Sequence, residues 1–217
     1  IYDNLRGIIG YVPQDDIVHP ELTVFQAVRY SARFRLPPDT SDAEIDRRVE
    51  TTLAELGLTS VRNLQIGKPE KKVLSGGQRK RVNIAMELVT DPVILFLDEP
   101  TSGLAADDTT ALIRSLSELT ARSGKTVIMT IHQPAKDEFE LFNLVLLMGP
   151  GGIPMFYGPT APDAYDFFGA FARAHGAGAI TNPRDVFEAI AQREKRVQQE
   201  LAARGVAVSV AEAKQQS

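Results

Sequence analysis

The run Val93-Ile94-Leu95-Phe96-Leu97 is apolar without a break and closes on Asp98-Glu99. A half-buried strand alternates apolar and polar residues, so an unbroken run calls for a strand covered on both faces. Parallel sheets provide that setting, because the connection between parallel strands lays a helix over the sheet. The run therefore restricts the chain to a layered α/β domain with a mostly parallel sheet.

The rest of the pattern agrees. Strands are expected at 6–12, 93–98, 126–131 and 144–148, with a short one at 153–157. Helices are expected at 22–36, 41–57, 73–89, from about 107, at 162–173 and at 183–204. Thr23 with Gln26, and Ser41 with Glu44, have the spacing of capping boxes. Pro37-Pro38 and Gly57 supply stops. Residues 15–90 carry helices only, which predicts a helical subdomain inserted between strands. A Gly/Ala-rich loop is expected at 174–179. The expected organisation is one α/β domain over 1–190, followed by a C-terminal helix and linker over 191–217.

Arg122-Ser123-Gly124-Lys125-Thr126 has the tail of a phosphate-binding loop, G-x-x-x-x-G-K-[ST]. The leading glycine of that pattern would fall at Leu119. The loop must also follow a strand and open a helix, because backbone N–H groups at a helix N-terminus wrap the phosphates. Here a helical pattern carrying Leu112, Leu116 and Leu119 comes first and an apolar β-branched run comes second. Gly124 is expected to cap the helix C-terminus and Lys125 to be a solvated charge beside it.

Four places carry residue types suited to chemistry. Ser75-Gly76-Gly77-Gln78 opens a helix. Two glycines there cost stability but leave a bare N–H-rich terminus that phosphate oxygens can approach. Ser75 and Gln78 also have capping-box spacing. Asp98 and Glu99 end an apolar strand, and ligands of parallel sheets sit beyond the carboxyl ends of strands. A carboxylate at that edge can hold Mg²⁺, and its neighbour can polarise a water as general base. His132 ends the strand at 126–131 and can donate to a terminal phosphate. Gln14 comes after the first strand, opens the helical insert and can ligate Mg²⁺ weakly.

The 217 residues have a formal net charge of −4, which gives no sign of nucleic-acid binding. With no cysteine, disulfides and thiolate metal sites are excluded. His19, His132 and His175 are widely separated in sequence. No apolar run approaches the roughly 18 residues of a transmembrane helix.

Taken in order, these residues resemble the ATP-binding-cassette ATPases. Leu74-Ser75-Gly76-Gly77-Gln78 is similar to that family's signature motif. Val93 to Pro100 is similar to its Walker B strand with the glutamate next to it. Thr101-Ser102-Gly103-Leu104 is similar to the D-loop, His132 to the switch histidine, and Tyr11-Val12-Pro13-Gln14 to the Q-loop. Arg79 to Leu88, Thr130 to Pro134, Met155 to Pro159 and Asn182 to Ile190 resemble the G-type (white/pleiotropic) transporters and their bacterial relatives.

The resemblance implies a P-loop-NTPase-like fold, ATP and Mg²⁺ as ligands, and ATP hydrolysis that powers transport. Asp98 and Gln14 would hold Mg²⁺, and Gln14 would also couple to a membrane domain. Glu99 would position the attacking water and His132 would touch the γ-phosphate. Ser75, Gly76, Gly77 and Gln78 would contact the nucleotide on a second, head-to-tail subunit. Partners would be that subunit and a transmembrane domain, with no nucleic acid, at the cytoplasmic face of a membrane. Ala105 stands where the family has aspartate. The phosphate loop would lie ahead of Ile1, so the chain as it stands is expected to turn over little ATP. A soluble non-transport ATPase and a loop-less regulatory cassette are the alternatives.

Overall fold

The computed structural model describes residues 7–68, 73–132, 134–149, 152–174, 180, 182, 183, 185, 186, 188, 195, 196 and 199. The chain divides into two compact units, residues 1–132 and 133–217. The expected loop at 174–179, the last helix at 183–204 and the linker at 191–217 fall almost entirely outside the described residues.

In the first unit β1 (Ile9–Val12), β2 (Ile94–Leu97) and β3 (Thr126–Met129) form a parallel sheet in the order β1-β2-β3. Between β1 and β2 lie α1 (Val24–Arg35), α2 (Asp42–Glu55), a 3₁₀ turn (Thr59–Val61) and α3 (Gly76–Leu88). This is the expected helical insert. Helix α4 (Ala106–Ser123) makes the crossover from β2 to β3.

The local signals act as the residues dictate, with one exception. Thr23 and Gln26 form a complete capping box at the start of α1. At α2 only half the box forms. The Ser41 side chain accepts the Glu44 N–H at 3.2 Å, but the Glu44 carboxylate turns outward to Arg47 and Arg48. Two guanidinium partners outcompete one backbone N–H, and their hydrogen bonds hold the Glu44 carboxyl below its ordinary pKa. Helix α2 stops where Leu58 N–H reaches the Leu53 carbonyl at 2.7 Å and Gly57 N–H reaches Ala54 at 3.1 Å. That pair of bonds is a Schellman closure.

Helix α3 is the packing centre. Lys80, Val82, Asn83, Ile84, Ala85 and Leu88 are all buried, so it is covered nearly all round. It packs on α1, α2, α4 and β1. One apolar cluster joins the insert (Ile45, Leu53, Leu58, Ile84) to the sheet (Val12, Leu95, Leu97) and to α4 (Leu112, Leu116, Leu119). The outer edge of β1 is not left bare, because the Glu87 carboxylate of α3 accepts the Tyr11 N–H at 3.1 Å.

The apolar run of β2 predicted cover on both faces. Leu95 and Leu97 are buried, while Ile94 and Phe96 are only half-buried. Across the register Phe96 aligns with Tyr11 and Ile128, both exposed. Helices α3 and α4 share the apolar cluster of Leu95 and Leu97, while Phe96, Tyr11 and Ile128 on the other face stay partly or largely open.

In the second unit, the short α5 (Lys136–Phe139) leads into β4 (Leu144–Met148), which pairs antiparallel with β5 (Pro154–Pro159). The connection is too short for a parallel crossover, so the pair is a hairpin apart from the parallel sheet. The helix expected at 162–173 begins later. Residues Thr160–Ala164 form a wide turn in which Ala161 is extended, and α6 is Tyr165–Ala174. Pro162 disfavours a helical residue before it. Phe168 and Ala164 pack with Val145, Leu147 and Phe156.

Ile84→Ala, which empties a fully buried position of the shared core, should lower unfolding free energy by about 2–5 kcal/mol. Phe34→Ala on the open side of α1, where the ring is 85% exposed, should change it by no more than about 0.5 kcal/mol. Urea titration followed by helical circular dichroism reads both. A change at Phe34 as large as that at Ile84 would contradict this placement of the core.

Candidate functional site

The sheet is paired without offset: Val12, Leu97 and Met129 lie side by side. Asp98 N–H continues the ladder to the Val12 carbonyl at 2.9 Å, and Thr130 N–H to Leu97 at 3.0 Å. Three strands therefore end at one level, and the residues just beyond their ends collect at one edge.

Glu99 is the meeting point. Its Oε1 lies 2.7 Å from His132 Nε2, and its Oε2 accepts from Gln14 Nε2 at 2.9 Å. Three residues far apart in the chain thus meet at one carboxylate. The Glu99 backbone has φ +41°, a region that a residue with a Cβ enters only under compulsion. Thr130 supplies part of that compulsion. Its Oγ1 accepts the Glu99 N–H at 2.8 Å and donates to Asp98 Oδ1 at 2.9 Å. The tight turn beyond closes with Ser102 N–H on the Glu99 carbonyl at 3.0 Å. Backbone strain of this kind is of order 1–3 kcal/mol and clusters where geometry serves chemistry. Tyr11 Oη donates to Asp98 Oδ2 at 3.4 Å.

Sequence reasoning placed Gln14, Asp98, Glu99 and His132 at strand ends, and the structure brings all four to this edge. Thr130 and Tyr11 were missed. The only trace of Thr130 in the sequence is a hydroxyl two residues before His132, a weak signal.

Ser75–Gln78 stands apart from this cluster. No hydrogen bond or ion pair joins it to Gln14, Asp98, Glu99 or His132 among the described residues. It forms a capping box: Ser75 Oγ accepts Gln78 N–H at 3.1 Å, and Gln78 Oε1 accepts Ser75 N–H at 2.9 Å. The glycines have a packing role beside any other. Gly77 N–H donates to Asp108 Oδ2 at 3.3 Å, and a Cβ on Gly77 would sit 2.6 Å from Asp108 Oδ1. A Cβ on Gly76 would come within 3.1 Å of Leu104. The paired glycines let the start of α4 close on the start of α3, with Asp108 complementing the positive end of the α3 dipole. Ala105, at the N-cap of α4, makes no side-chain capping bond.

Gly124 caps α4 with φ +66°, as its place between helix and strand predicted. Lys125 is not the solvated charge expected of it. Its side chain is 13% exposed, pairs with Asp91 and donates to the Pro92 carbonyl at 3.1 Å. Parallel pairing sets the start of β3 beside the start of β2, and that draws Lys125 onto the Asp91-Pro92 turn.

A family model described as "ABC transporter" matches residues 1–102. The chain is 45% identical over 155 residues to "ABC transporter G family member 28" of Arabidopsis thaliana, covering 71% of this chain and 14% of that protein. It is 42% identical over 184 residues to the "Broad substrate specificity ATP-binding cassette transporter ABCG2" of Bos taurus, covering 85% of this chain and 27% of that protein. It is 43% identical over 179 residues to "ABC transporter G family member 2" of Dictyostelium discoideum, 81% of this chain and 13% of that protein. The chain thus spans roughly an eighth to a quarter of the length of these relatives.

The Thr130 bridge generates its own test. Thr130→Val should cost about 0.5–1.5 kcal/mol, since the Glu99 N–H and an Asp98 oxygen lose a partner. Thr130→Ser should restore most of it. Equal melting curves for the valine and serine variants would show that the bridge contributes nothing to the fold.

Proposed function

Because this chain belongs to the G subfamily of the ATP-binding-cassette transporters, we propose that it hydrolyses ATP at the sheet edge around Glu99 to power movement of a substrate across a membrane. The observation that carries the reading is the Glu99 carboxylate, fixed on one oxygen by His132 and on the other by Gln14, on a backbone strained to present it.

Each residue has a distinct task. Glu99 orients the attacking water and accepts its proton as the water oxygen bonds to the γ-phosphorus. The bond to the β,γ-bridging oxygen breaks, and ADP and phosphate leave. His132, with its side chain 80% exposed, is placed to turn from Glu99 to a γ-phosphate oxygen. Asp98 and the side-chain carbonyl of Gln14 offer hard oxygen donors at the same edge. Such a set fits Mg²⁺, which is usually held by one or two carboxylates together with phosphates and water. Bound there, Mg²⁺ would supply neutralising charge to the β- and γ-phosphates. Thr130 fixes the Asp98 carboxylate from behind.

The α3 terminus, Ser75 to Gln78, lies outside this cluster's bonding network and serves the nucleotide of a second copy in a head-to-tail pair. Each ATP then lies between the strand-end residues of one subunit and the α3 terminus of the other. Asp108 yields the Gly77 N–H when a phosphate arrives. A transmembrane domain coupled through Gln14 is the second partner, with the whole at the cytoplasmic face. Among the described residues no helix is long and apolar enough to cross a membrane.

In the protein at its full native length, Glu99→Gln should keep ATP binding and lower turnover by about 10²–10⁴-fold, the range for loss of a general base. Turnover near wild type would sink the assignment of Glu99. Ser75→Arg should abolish turnover while the isolated subunit still folds, with its melting temperature lowered only by the lost helix cap, and a normal rate would rule out the two-copy site.

A further inference from the structure

Lys80 is a buried cation without a task in the hydrolysis scheme. It is 5% exposed, on the face of α3 that looks toward the loop after β1. Its Nζ donates to the Gln14 backbone carbonyl at 2.7 Å and lies 3.4 Å from Asp16 Oδ1. One turn along the helix, Asn83 Nδ2 donates to Asp16 Oδ1 at 2.7 Å, and Asn83 Oδ1 accepts the Ile17 N–H at 3.2 Å. Arg79 Nε lies 3.6 Å from Asp16 Oδ2 and donates through Nη2 to the Gly67 carbonyl. Residues 13–19 have no helix or strand of their own. Their position is set by α3, through side chains spaced three and four apart on one helical face.

The Gln14 residue held in this way is the one whose amide grips Glu99. A chain of direct contacts therefore runs from α3 through Lys80 to the Gln14 backbone, and through its side chain to the Glu99 carboxylate. We propose that Lys80 is a positioning residue that ties the displacement of α3 to the placement of Glu99. This rests on Glu99 as the base and on the α3 terminus as the contact to a second copy's nucleotide. On that reading α3 reports the nucleotide of one site while Glu99 serves the other, so Lys80 links the two sites of a pair inside a single chain. A buried ammonium suits the task. It holds the loop by a charge-assisted bond to a backbone carbonyl, which is stronger than a neutral one and independent of the loop's side chains.

The test is a double-mutant cycle in the protein at its full native length. Lys80→Met keeps the length of the side chain and removes the donor, whereas Lys80→Arg keeps a donor. Lys80→Met should lower kcat for ATP about fivefold or more with KM within about twofold, the coupling expected of groups in direct contact. Lys80→Arg should recover part of the loss. In a Gln14→Ala background, Lys80→Met should change kcat by less than about twofold. The same factor in both backgrounds would show that Lys80 acts elsewhere and would overturn the proposal.

Hydrogen exchange gives a second readout that needs no turnover. Lys80→Met should speed exchange at Ile17 and its neighbours while the amides of β2 keep their protection. Unchanged exchange at Ile17 overturns the tether. Should the wild-type protein not hydrolyse ATP at all, the reading of Glu99 falls, and the exchange result alone decides the tether. If Lys80→Met does not fold, Lys80→Gln, which keeps a polar side chain but removes the ammonium, takes its place in both measurements with the same expected split.

Discussion

Everything at the candidate site depends on parallel pairing in level register. Because β1, β2 and β3 run the same way and start together, they also stop together. The residues after each stop share one edge, although Gln14 and His132 are more than a hundred positions apart. An antiparallel β2 would send Asp98 and Glu99 to the opposite end of the sheet. A shift of one residue in β3 would turn its side chains to the other face and take Thr130 away from the Glu99 N–H. The ladder bonds beyond the strands, Asp98 to Val12 and Thr130 to Leu97, carry the register into the site itself.

The helical insert shares its core with the sheet. Helix α3 touches α1, α2, α4 and β1, and the cluster around Ile84 is continuous with that around Leu95. Within it the polar residues Lys80 and Asn83 are buried and satisfied by the loop at 14–17. An unsatisfied buried ammonium would cost far more than the bonds contribute, so these contacts define one arrangement of loop and helix more than they add net stability. Asp108 works on a smaller scale at the terminus of α3. It answers the helix dipole from the neighbouring helix, in a gap that only glycine leaves open.

Much of this arrangement is legible in the order of residues alone. The apolar run of β2 announces a parallel sheet, and Thr23, Ser41, Ser75 and Gly124 mark helix ends through chemistry confined to four or five residues. Gln14, Asp98, Glu99 and His132 stand out because each sits at a strand end. The features that escape depend on partners remote in sequence or on competition between neighbours. The capping box at Ser41 fails because Arg47 and Arg48 compete for Glu44. Lys125 is drawn to Asp91 by a strand pairing that no local pattern reports. Thr130, Lys80 and Asp108 are ordinary helix and strand residues until the fold sets their neighbours. The partly open face of β2 belongs to the same class, since a residue's hydrophobicity does not say what covers it.

The left-handed backbone at Glu99 sets stability against the proposed activity at a single position. A glycine there would relax the strain while keeping the N–H that Thr130 Oγ1 accepts, and would remove the carboxylate on which the proposed hydrolysis depends. On the proposed role of Glu99, selection for heat resistance alone would favour that change and selection for ATP turnover would oppose it. In a population of variants, this residue would then be held by the proposed turnover and opposed by how firmly the chain folds.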